Sequence, residues 1–148
     1  MEIKTQRLAL LPFTEEIHEA YSGRYETGPH IEGHLKELKE NPELKGWGVW
    51  LAIRQDNGKP VGDLGFKGRP DPEGVVEVGY GIVPAEQNQG LATEAVEALI
   101  EWAFTTGGAT KVIAECLADN TASIKVLQKL GMRETGRDQG MVYWECTK

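Results

Sequence analysis

The chain's most constraining feature is a strand, a small-residue junction, a long amphipathic helix and a second strand between residues 75 and 116. The first strand, VVEVGYGIV, covers residues 75–83, and the helix at residues 89–105 has one broad apolar face. The strand TKVIAEC follows at residues 110–116. Two strands joined by a helix lie parallel in one sheet with a right-handed crossover. The order therefore predicts a central β-α-β unit.

Strand and helix patterns flank this unit on both sides. Further strands are predicted at residues 5–11, 47–54, 61–67, 133–137 and 141–145, and further helices at residues 15–25, 31–39 and from a cap at Asp119 or Asn120 to residue 130. No linker or repeat interrupts them, and 148 residues fit one domain. The sequence predicts a single α+β domain over residues 1–148. Its sheet is mixed, mostly antiparallel and twisted, with six to seven strands and helices on both faces.

Charge and composition narrow the choice of partners. The net charge is −7 without a block of Lys or Arg, so a nucleic-acid partner is not expected and a cationic acceptor fits better. No apolar run is long enough to cross a membrane, and residues 1–5 lack the apolar core of a signal peptide. Only two cysteines, Cys116 and Cys146, are present. They indicate reduced thiols and a cytoplasmic location.

The junction QNQGLA, residues 87–92, joins the strand to the long helix with little bulk and no charge. A helix start presents unpaired N–H groups, and a glycine there lets the oxygens of a phosphate come close to them. A tight turn in which Gly90 serves only the backbone is the alternative, and spacing alone favours it. The segment matches neither GxxxxGK[ST] nor GxGxxG, the two known phosphate-binding patterns. A phosphate-binding site here would therefore serve a ligand of another kind than the ligands of those two motifs.

The strand before the junction places Glu77, Gly79, Gly81 and Val83 on one face. Glycines within a strand mark either a bulge or a close approach of another group. A bulge would free a backbone N–H that could donate to a developing oxyanion. The alternative is that Glu77 is a plain solvent-facing residue.

Other candidate sites are less well supported. His30 and His34 have the i, i+4 spacing of a zinc pair, but no third ligand is apparent, so no metal is expected and the histidines should line a cleft or face solvent. Cys116 could carry an acetyl group, although a buried strand-end residue is the favoured interpretation. The four tryptophans are expected in the core and at its rim: Trp47, Trp50, Trp102 and Trp144.

Several stretches resemble one known family. QNQGLATEA is similar to the Q/R-x-x-G-x-G/A signature of the GNAT N-acetyltransferase superfamily, with Gln87, Gly90 and Ala92 at the signature positions. TQRLALLPFT, EVGYGIVPAEQNQGLATEAV and DNTASIKVLQKLGM resemble its RimJ/RimL-type branch, the ribosomal-protein N-acetyltransferase-like enzymes. The resemblance covers nearly the whole chain in the right order. It implies a GNAT domain with acetyl-CoA as co-substrate.

The resemblance also implies a cofactor site. Acetyl-CoA would lie in a wedge where the strands at residues 75–83 and 110–116 splay apart. The residues implied are Gln87 at the signature, the N–H groups of Asn88, Gln89, Gly90, Leu91 and Ala92 for the pyrophosphate, and the backbone of Ile82 and Val83 for the pantetheine amides. Asn120 would reach the pantetheine arm, or cap the last helix, and Ser123 would lie near the sulfur.

The implied chemistry is direct attack of a neutral amine on the thioester. By resemblance, Glu77 is the base acting through water, and the backbone around Tyr80 and Gly81 is the oxyanion donor. Many relatives have a tyrosine acid where this chain has Leu127, which leaves the acid role to Ser123, Tyr143 or solvent.

These expectations amount to an acetyl-CoA-dependent N-acetyltransferase that acts on a protein N-terminus or a small amine. A CoA-binding sensor or interaction domain without catalysis is the alternative, because Leu127 replaces the usual tyrosine. A homodimer is left open.

Overall fold

The computed structural model describes residues 1–148 and contains eight strands and four α-helices. The strands are β1 (Ile3–Lys4), β2 (Leu8–Pro12), β3 (Val49–Arg54), β4 (Pro60–Phe66), β5 (Val75–Ile82), β6 (Lys111–Leu117), β7 (Arg133–Asp138) and β8 (Met141–Thr147). The helices are α1 (Glu15–Ala20), α2 (Pro29–Glu40), α3 (Leu91–Thr105) and α4 (Thr121–Lys129). None of the helices is both long and apolar enough to span a bilayer.

All eight strands form one sheet in the order β1-β2-β3-β4-β5-β6-β8-β7. Only β5 and β6 pair in parallel, and α3 connects them, so the predicted β-α-β unit and the mixed, mostly antiparallel α+β fold are confirmed. The sheet has one strand more than the six to seven predicted, because β1 at Ile3–Lys4 precedes the strand expected at residues 5–11, which is observed as β2 at Leu8–Pro12. Thr5 donates its N–H to the Leu8 carbonyl (2.8 Å) in the turn between them.

Helices cover both faces of the sheet. The larger core lies under α3 and α4 and includes Leu8, Trp50, Val96 and Leu127. A smaller core lies on the opposite face, under α1 and α2, around residues such as Ile31. Both layers follow from the alternation of side chains along β3, where neighbouring residues enter different cores.

The tryptophans and Cys116 lie where the sequence predicted. Trp50 and Trp144 are buried, while Trp47 and Trp102 pack against the core from its rim. Cys116 is only 7% exposed and belongs to the larger core, as expected for a structural strand-end residue. The helix predicted at residues 15–25 is shorter, since α1 ends at Ala20.

The sheet opens between β5 and β6. Val75–Glu77 pair with Lys111–Ile113, and beyond that point β5 pairs only with β4 while β6 pairs only with β8. The two strands therefore diverge toward their carboxyl ends and leave the predicted wedge. The starts of α3 and α4 follow those carboxyl ends directly, so both helix N-termini lie at the open side of the wedge.

Candidate active site

The edge of β5 that faces the wedge carries free main-chain groups. Lys67 donates its N–H to the Glu77 carbonyl (2.9 Å), and Val83 donates its N–H to the Val61 carbonyl (2.8 Å). Antiparallel hydrogen bonds recur at every second residue, so Gly79 and Gly81 also direct their main chain to β4. Of the intervening residues, Val78 lies at the end of the parallel ladder with β6, and the N–H groups of Tyr80 and Ile82 point toward the wedge.

The main chain of Val83, which the resemblance predicts to pair with a pantetheine amide, already makes two hydrogen bonds within the chain. The N–H of Val83 is bonded to Val61, and its carbonyl accepts from the N–H of Glu86 (2.9 Å). The predicted pairing at Val83 would therefore use the second lone pair of that carbonyl. Ile82 keeps a free N–H, and its carbonyl accepts from the Gln87 side chain (2.9 Å). Tyr80 is the other residue with main-chain groups on the free edge.

The glycines of β5 form an open surface and not a bulge. The register between β4 and β5 is continuous from Gly62–Ile82 to Phe66–Val78. A Cβ atom built on Gly79 or Gly81 would have no other atom within 4 Å. Close approach of another group is therefore the interpretation that the structure supports for these glycines.

The junction presents a run of free amides at the start of α3. Asn88 and Gly90 adopt left-handed conformations, with φ of 64° and 79°, and the first bond of the helix runs from the Glu94 N–H to the Gly90 carbonyl (3.1 Å). The N–H groups of residues 88–93 have no acceptor within the chain. Free N–H groups and the positive end of the helix dipole attract an anion.

Two arginines that the sequence interpretation did not assign hold this junction in shape. Arg7 donates from Nη1 to the Gln89 carbonyl (2.8 Å). Arg54 donates to the Gln89 side chain (3.2 Å) and to Glu86 (3.0 Å). Arg7 lies within the TQRLALLPFT motif, and this motif is the only feature of the sequence that could have indicated its role. No feature of the sequence indicates the role of Arg54.

The start of α4 faces the wedge from the other side. The side-chain oxygen of Asn120 accepts a hydrogen bond from the Ser123 N–H (3.1 Å) and so caps the helix. A helix cap is one of the two roles predicted for Asn120, the other being contact with the pantetheine arm. The Tyr80 hydroxyl lies 3.5 Å from the Ser123 carbonyl. Burial raises the pKa of Tyr80, while the contact with Ser123 opposes this, so its hydroxyl stays protonated at neutral pH. Ser123 and Tyr80 thus meet across the wedge.

Glu77 and Tyr143 lie on the opposite face of the sheet from Ser123. Tyr143 is 36% exposed on β8, directly opposite Glu115 of β6. Lys67 lies 2.7 Å from Glu77 and 3.9 Å from Glu115. The bond to Glu77 raises the pKa of Lys67, although burial acts in the other direction. The predicted catalytic residues are therefore not brought together as one cluster.

A cleft of about 900 Å³ lies between α2 and the open glycine surface of β5. His30 and His34 both line it, which confirms the interpretation that they are cleft residues. His34 is buried, and burial lowers its pKa, although Glu37 acts in the other direction. No group of three or more His, Cys, Asp or Glu side chains is arranged to hold a metal.

Asp63 projects into the same cleft and was not predicted as a site residue. The Tyr25 hydroxyl donates to Oδ2 of Asp63 (2.6 Å), and Nε2 of His30 lies 3.0 Å from Oδ1. Burial, together with the bond to Asp63 and its charge, raises the pKa of Tyr25, so Tyr25 remains a donor. These contacts connect the region before α2 and the first turn of α2 to the centre of the sheet.

The sequence profile of the acetyltransferase (GNAT) domain matches residues 7–133, a stretch that contains the wedge, the junction and the cleft. The chain belongs to the GNAT acetyltransferase family. The GNAT domain predicted from the motifs is thereby confirmed.

Among curated proteins, this GNAT domain is similar to the uncharacterized N-acetyltransferase YjdG of Bacillus subtilis. The two are 33% identical over 107 residues, which cover 72% of this chain and 64% of YjdG. A second Bacillus subtilis relative, the uncharacterized N-acetyltransferase YoaA, is 29% identical over 87 residues, which cover 59% of this chain and 49% of YoaA. The chain therefore spans between half and two thirds of the length of these relatives.

Solved structures share the GNAT fold over nearly the full chain. A ribosomal-protein-alanine acetyltransferase from Vibrio fischeri superposes with a TM-score of 0.80 at 15% identity, covering 99% of this chain and 96% of that one. The RimL ribosomal-protein alpha-N-acetyltransferase in complex with coenzyme A gives a TM-score of 0.76 at 18% identity, covering 99% and 98%. These structures establish that the architecture of RimL-type enzymes is also that of this chain.

Proposed function

We propose that this GNAT domain is an acetyl-CoA-dependent N-acetyltransferase that acts on a primary amine. The observation that carries the proposal is the run of free N–H groups at residues 88–93, placed at the open end of the wedge. A diphosphate matches these amides in charge, and the free edge of β5 offers partners for an amide-bearing arm. The complex of RimL with coenzyme A supports the same ligand class.

Each part of the wedge would hold a different part of acetyl-CoA. The N–H groups of residues 88–92 would bind the pyrophosphate, with Gln87 tying the junction to the Ile82 carbonyl. The main chain of Tyr80 and Ile82 would pair with the pantetheine amides. Asn120 has its side-chain N–H₂ group free to reach the same arm, because its oxygen caps α4.

Acetyl-CoA supplies an activated acetyl thioester, and the chain's own groups would orient the reactants and move the protons. The backbone around Tyr80 and Gly81 is predicted to stabilise the oxyanion. The Tyr80 N–H would be the donor, because the main chain of Gly81 is bonded to β4. Ser123 is the predicted proton donor on the α4 side, and the Tyr80 hydroxyl lies beside it. Tyr143, on the other face, is the remaining candidate from the sequence.

The acceptor amine would enter through the cleft on the α2 face. The structural neighbours are named for acetylation of ribosomal proteins, which supports a peptide N-terminus as the first acceptor class to examine. A small amine is the second class, and the acidic residues of the cleft suit either, because both arrive as cations.

Replacing Gly90 with aspartate tests the cofactor site. Gly90→Asp places a negative charge among the free amides and forces a side chain on a backbone with φ of 79°. We expect calorimetry to detect no CoA binding. Gly108→Asp is the matched control, since Gly108 lies just beyond the other end of α3, has φ of 75° and has no atom near a built Cβ. The proposed pyrophosphate site would be contradicted if Gly90→Asp bound CoA with wild-type affinity, or if both variants lost CoA binding alike.

Release of free thiol from acetyl-CoA tests the reaction itself. The acceptors are ethylamine, benzylamine, putrescine and tetrapeptides that begin with Ala or Ser. We expect amine-dependent thiol release with at least one of them. CoA binding without turnover on the whole panel would instead favour the non-catalytic CoA-binding domain.

A further inference from the structure

Asp63 lies closer to the free end of β5 than Glu77 does. Asp63 pairs directly with Gly81 across the β4–β5 ladder, and the pair is hydrogen-bonded by the alternation set at Val83. Such pairs have Cα atoms about 5.5 Å apart. Glu77 lies four residues back along β5, which is roughly 13 Å, at the closed end of the wedge.

The surroundings of the two carboxylates also differ. Glu77 is in an ion pair with Lys67, whose Nζ lies 2.7 Å from its carboxylate. Asp63 is 20% exposed and bonded to Tyr25 and His30, and neither Lys nor Arg pairs with it. The other residues with titratable groups that line the cleft are His34 and Glu37 on α2, Lys67 just after β4 and Tyr80 on β5.

The path to Asp63 is open from the cleft. Gly79 and Gly81 leave the surface beside it clear, since a Cβ at either position would meet no atom within 4 Å. A primary amine that crosses this surface toward the free Tyr80 N–H passes next to the Asp63 carboxylate. The same glycines leave no side chain between the amine and the wedge.

We propose that Asp63 binds the incoming ammonium group of the acceptor and takes its proton, so that Asp63 is the general base of the reaction. This rests on the proposed acetyltransferase function. The neutral nitrogen forms a bond to the acetyl carbon as the carbon–sulfur bond breaks and its electron pair goes to sulfur. The second nitrogen proton goes to the thiolate, and Asp63 returns the first to solvent through the cleft. The balance is one ammonium and one thioester to one amide, one thiol and one proton.

Substitution of Asp63 tests the assignment with the most active amine of the panel. Asp63→Asn keeps an oxygen for the Tyr25 hydroxyl but cannot take a proton. We expect kcat/KM for the amine to fall by at least about 100-fold while CoA affinity stays within threefold of wild type. Asp63→Glu, which restores a carboxylate, should recover part of the rate. Glu77→Gln and Glu37→Gln should each lose less than tenfold.

A role in catalysis and a role in holding the structure give different results. Tyr25→Phe removes the hydrogen bond to Asp63 but keeps the carboxylate, so it should lose far less activity than Asp63→Asn. The defect of Asp63→Asn should shrink as the pH rises toward the pKa of the acceptor amine, because free amine then needs no base. A structural role predicts that Tyr25→Phe loses at least as much activity as Asp63→Asn, and that the fractional loss is the same at every pH.

The outcomes also separate this assignment from the proposed function. Two results would overturn the role of Asp63 but leave the proposed acetyltransferase function standing. One is a kcat/KM of Asp63→Asn within threefold of wild type, and the other is a 100-fold loss of kcat/KM in Glu77→Gln alone. A wild-type protein that binds CoA but releases no thiol with any acceptor would overturn both.

Discussion

Glu94 ties the N-terminal strands to the helix that begins at the junction. Its carboxylate accepts from the Thr5 hydroxyl (2.5 Å), the Arg7 N–H (2.8 Å) and Nε of Arg7 (2.7 Å), and its side chain is only 17% exposed. Burial raises the pKa of Glu94, but the bonds from Thr5 and Arg7 outweigh it and hold the pKa below its usual range. Arg7 also reaches the Gln89 carbonyl, so one carboxylate supports both the helix and the junction.

Removing this charge should destabilise the fold in a pH-dependent way. A carboxyl whose folded pKa is lowered contributes stability above its unfolded pKa of about 4.3, and that contribution is lost as the pH falls through the folded value. Glu94→Gln should therefore cost about 1–2 kcal/mol at pH 7, measured by urea denaturation, and the difference from wild type should narrow below about pH 5.

Glu97→Gln is the control for this experiment. Glu97 lies one turn further along α3 and is exposed, so its replacement should change the free energy of unfolding by less than about 0.5 kcal/mol at either pH. A Glu94→Gln difference that is constant between pH 7 and pH 4 would contradict the assigned network.

At the scale of elements, helix α2 forms the wall of the cleft and comes very close to the chain just before β3, at Gly48. A Cβ built on Gly48 would lie 2.0 Å from the His34 ring, so only glycine lets α2 pack at its observed position. Gly33, one residue before His34 on the same helix, has no atom within 4 Å of a built Cβ. The two glycines therefore have opposite roles.

Alanine at these two positions should change stability in opposite directions. Gly48→Ala forces His34 and α2 outward and should lower the free energy of unfolding by about 1–3 kcal/mol. Gly33→Ala removes a helix-interior glycine and should raise it by about 0.5–1 kcal/mol. Denaturation midpoints measure both, and destabilisation by Gly33→Ala would show that α2 packs differently.

The elements were largely predictable because their signals are local. Apolar spacing, turn glycines and caps located the β-α-β unit and every helix, and a capping residue such as Asn120 was identified directly. The extra strand β1 and the late start of β2 were not predictable, because Thr5 and Arg7 between them turn to meet Glu94, almost ninety residues later. The early end of α1 has no such signal in the sequence either.

At the scale of the whole molecule, the sheet consists of two blocks joined by a short parallel ladder and by α3. β1–β5 form one block and β6–β8 the other, with three residue pairs between them. A ligand that pairs with the free edge of β5 should therefore protect alternate amides along it.

Hydrogen exchange resolved to single amides tests this expectation. Addition of CoA should slow exchange at Tyr80, Ile82 and residues 88–93 by at least about tenfold, since a ligand bound at 100 times Kd stabilises the bound state by about 2.7 kcal/mol. Gly79 and Gly81 are the internal controls, because their N–H groups are already bonded to β4 and should respond less. Equal protection of all four β5 residues would contradict the alternation.

The site was only partly predictable from the sequence, because some of its residues lie far apart along the chain. The junction is contiguous, so a motif could identify it. Asp63 lies 38 residues after Tyr25 and 33 after His30, and it meets them only through the β3–β4 hairpin and the placement of α2. None of them carries a motif, and only the fold brings them together.

The wedge recognises its proposed ligand with peptide groups, and this has an evolutionary consequence. Peptide groups are identical at every position, so mutations that replace side chains along β5 leave the recognising atoms in place as long as the strands still diverge. If so, selection preserves the separation of the two strands and a few glycines, and most other positions are free to change. Architecture that persists at 15% identity is the expected outcome of such selection.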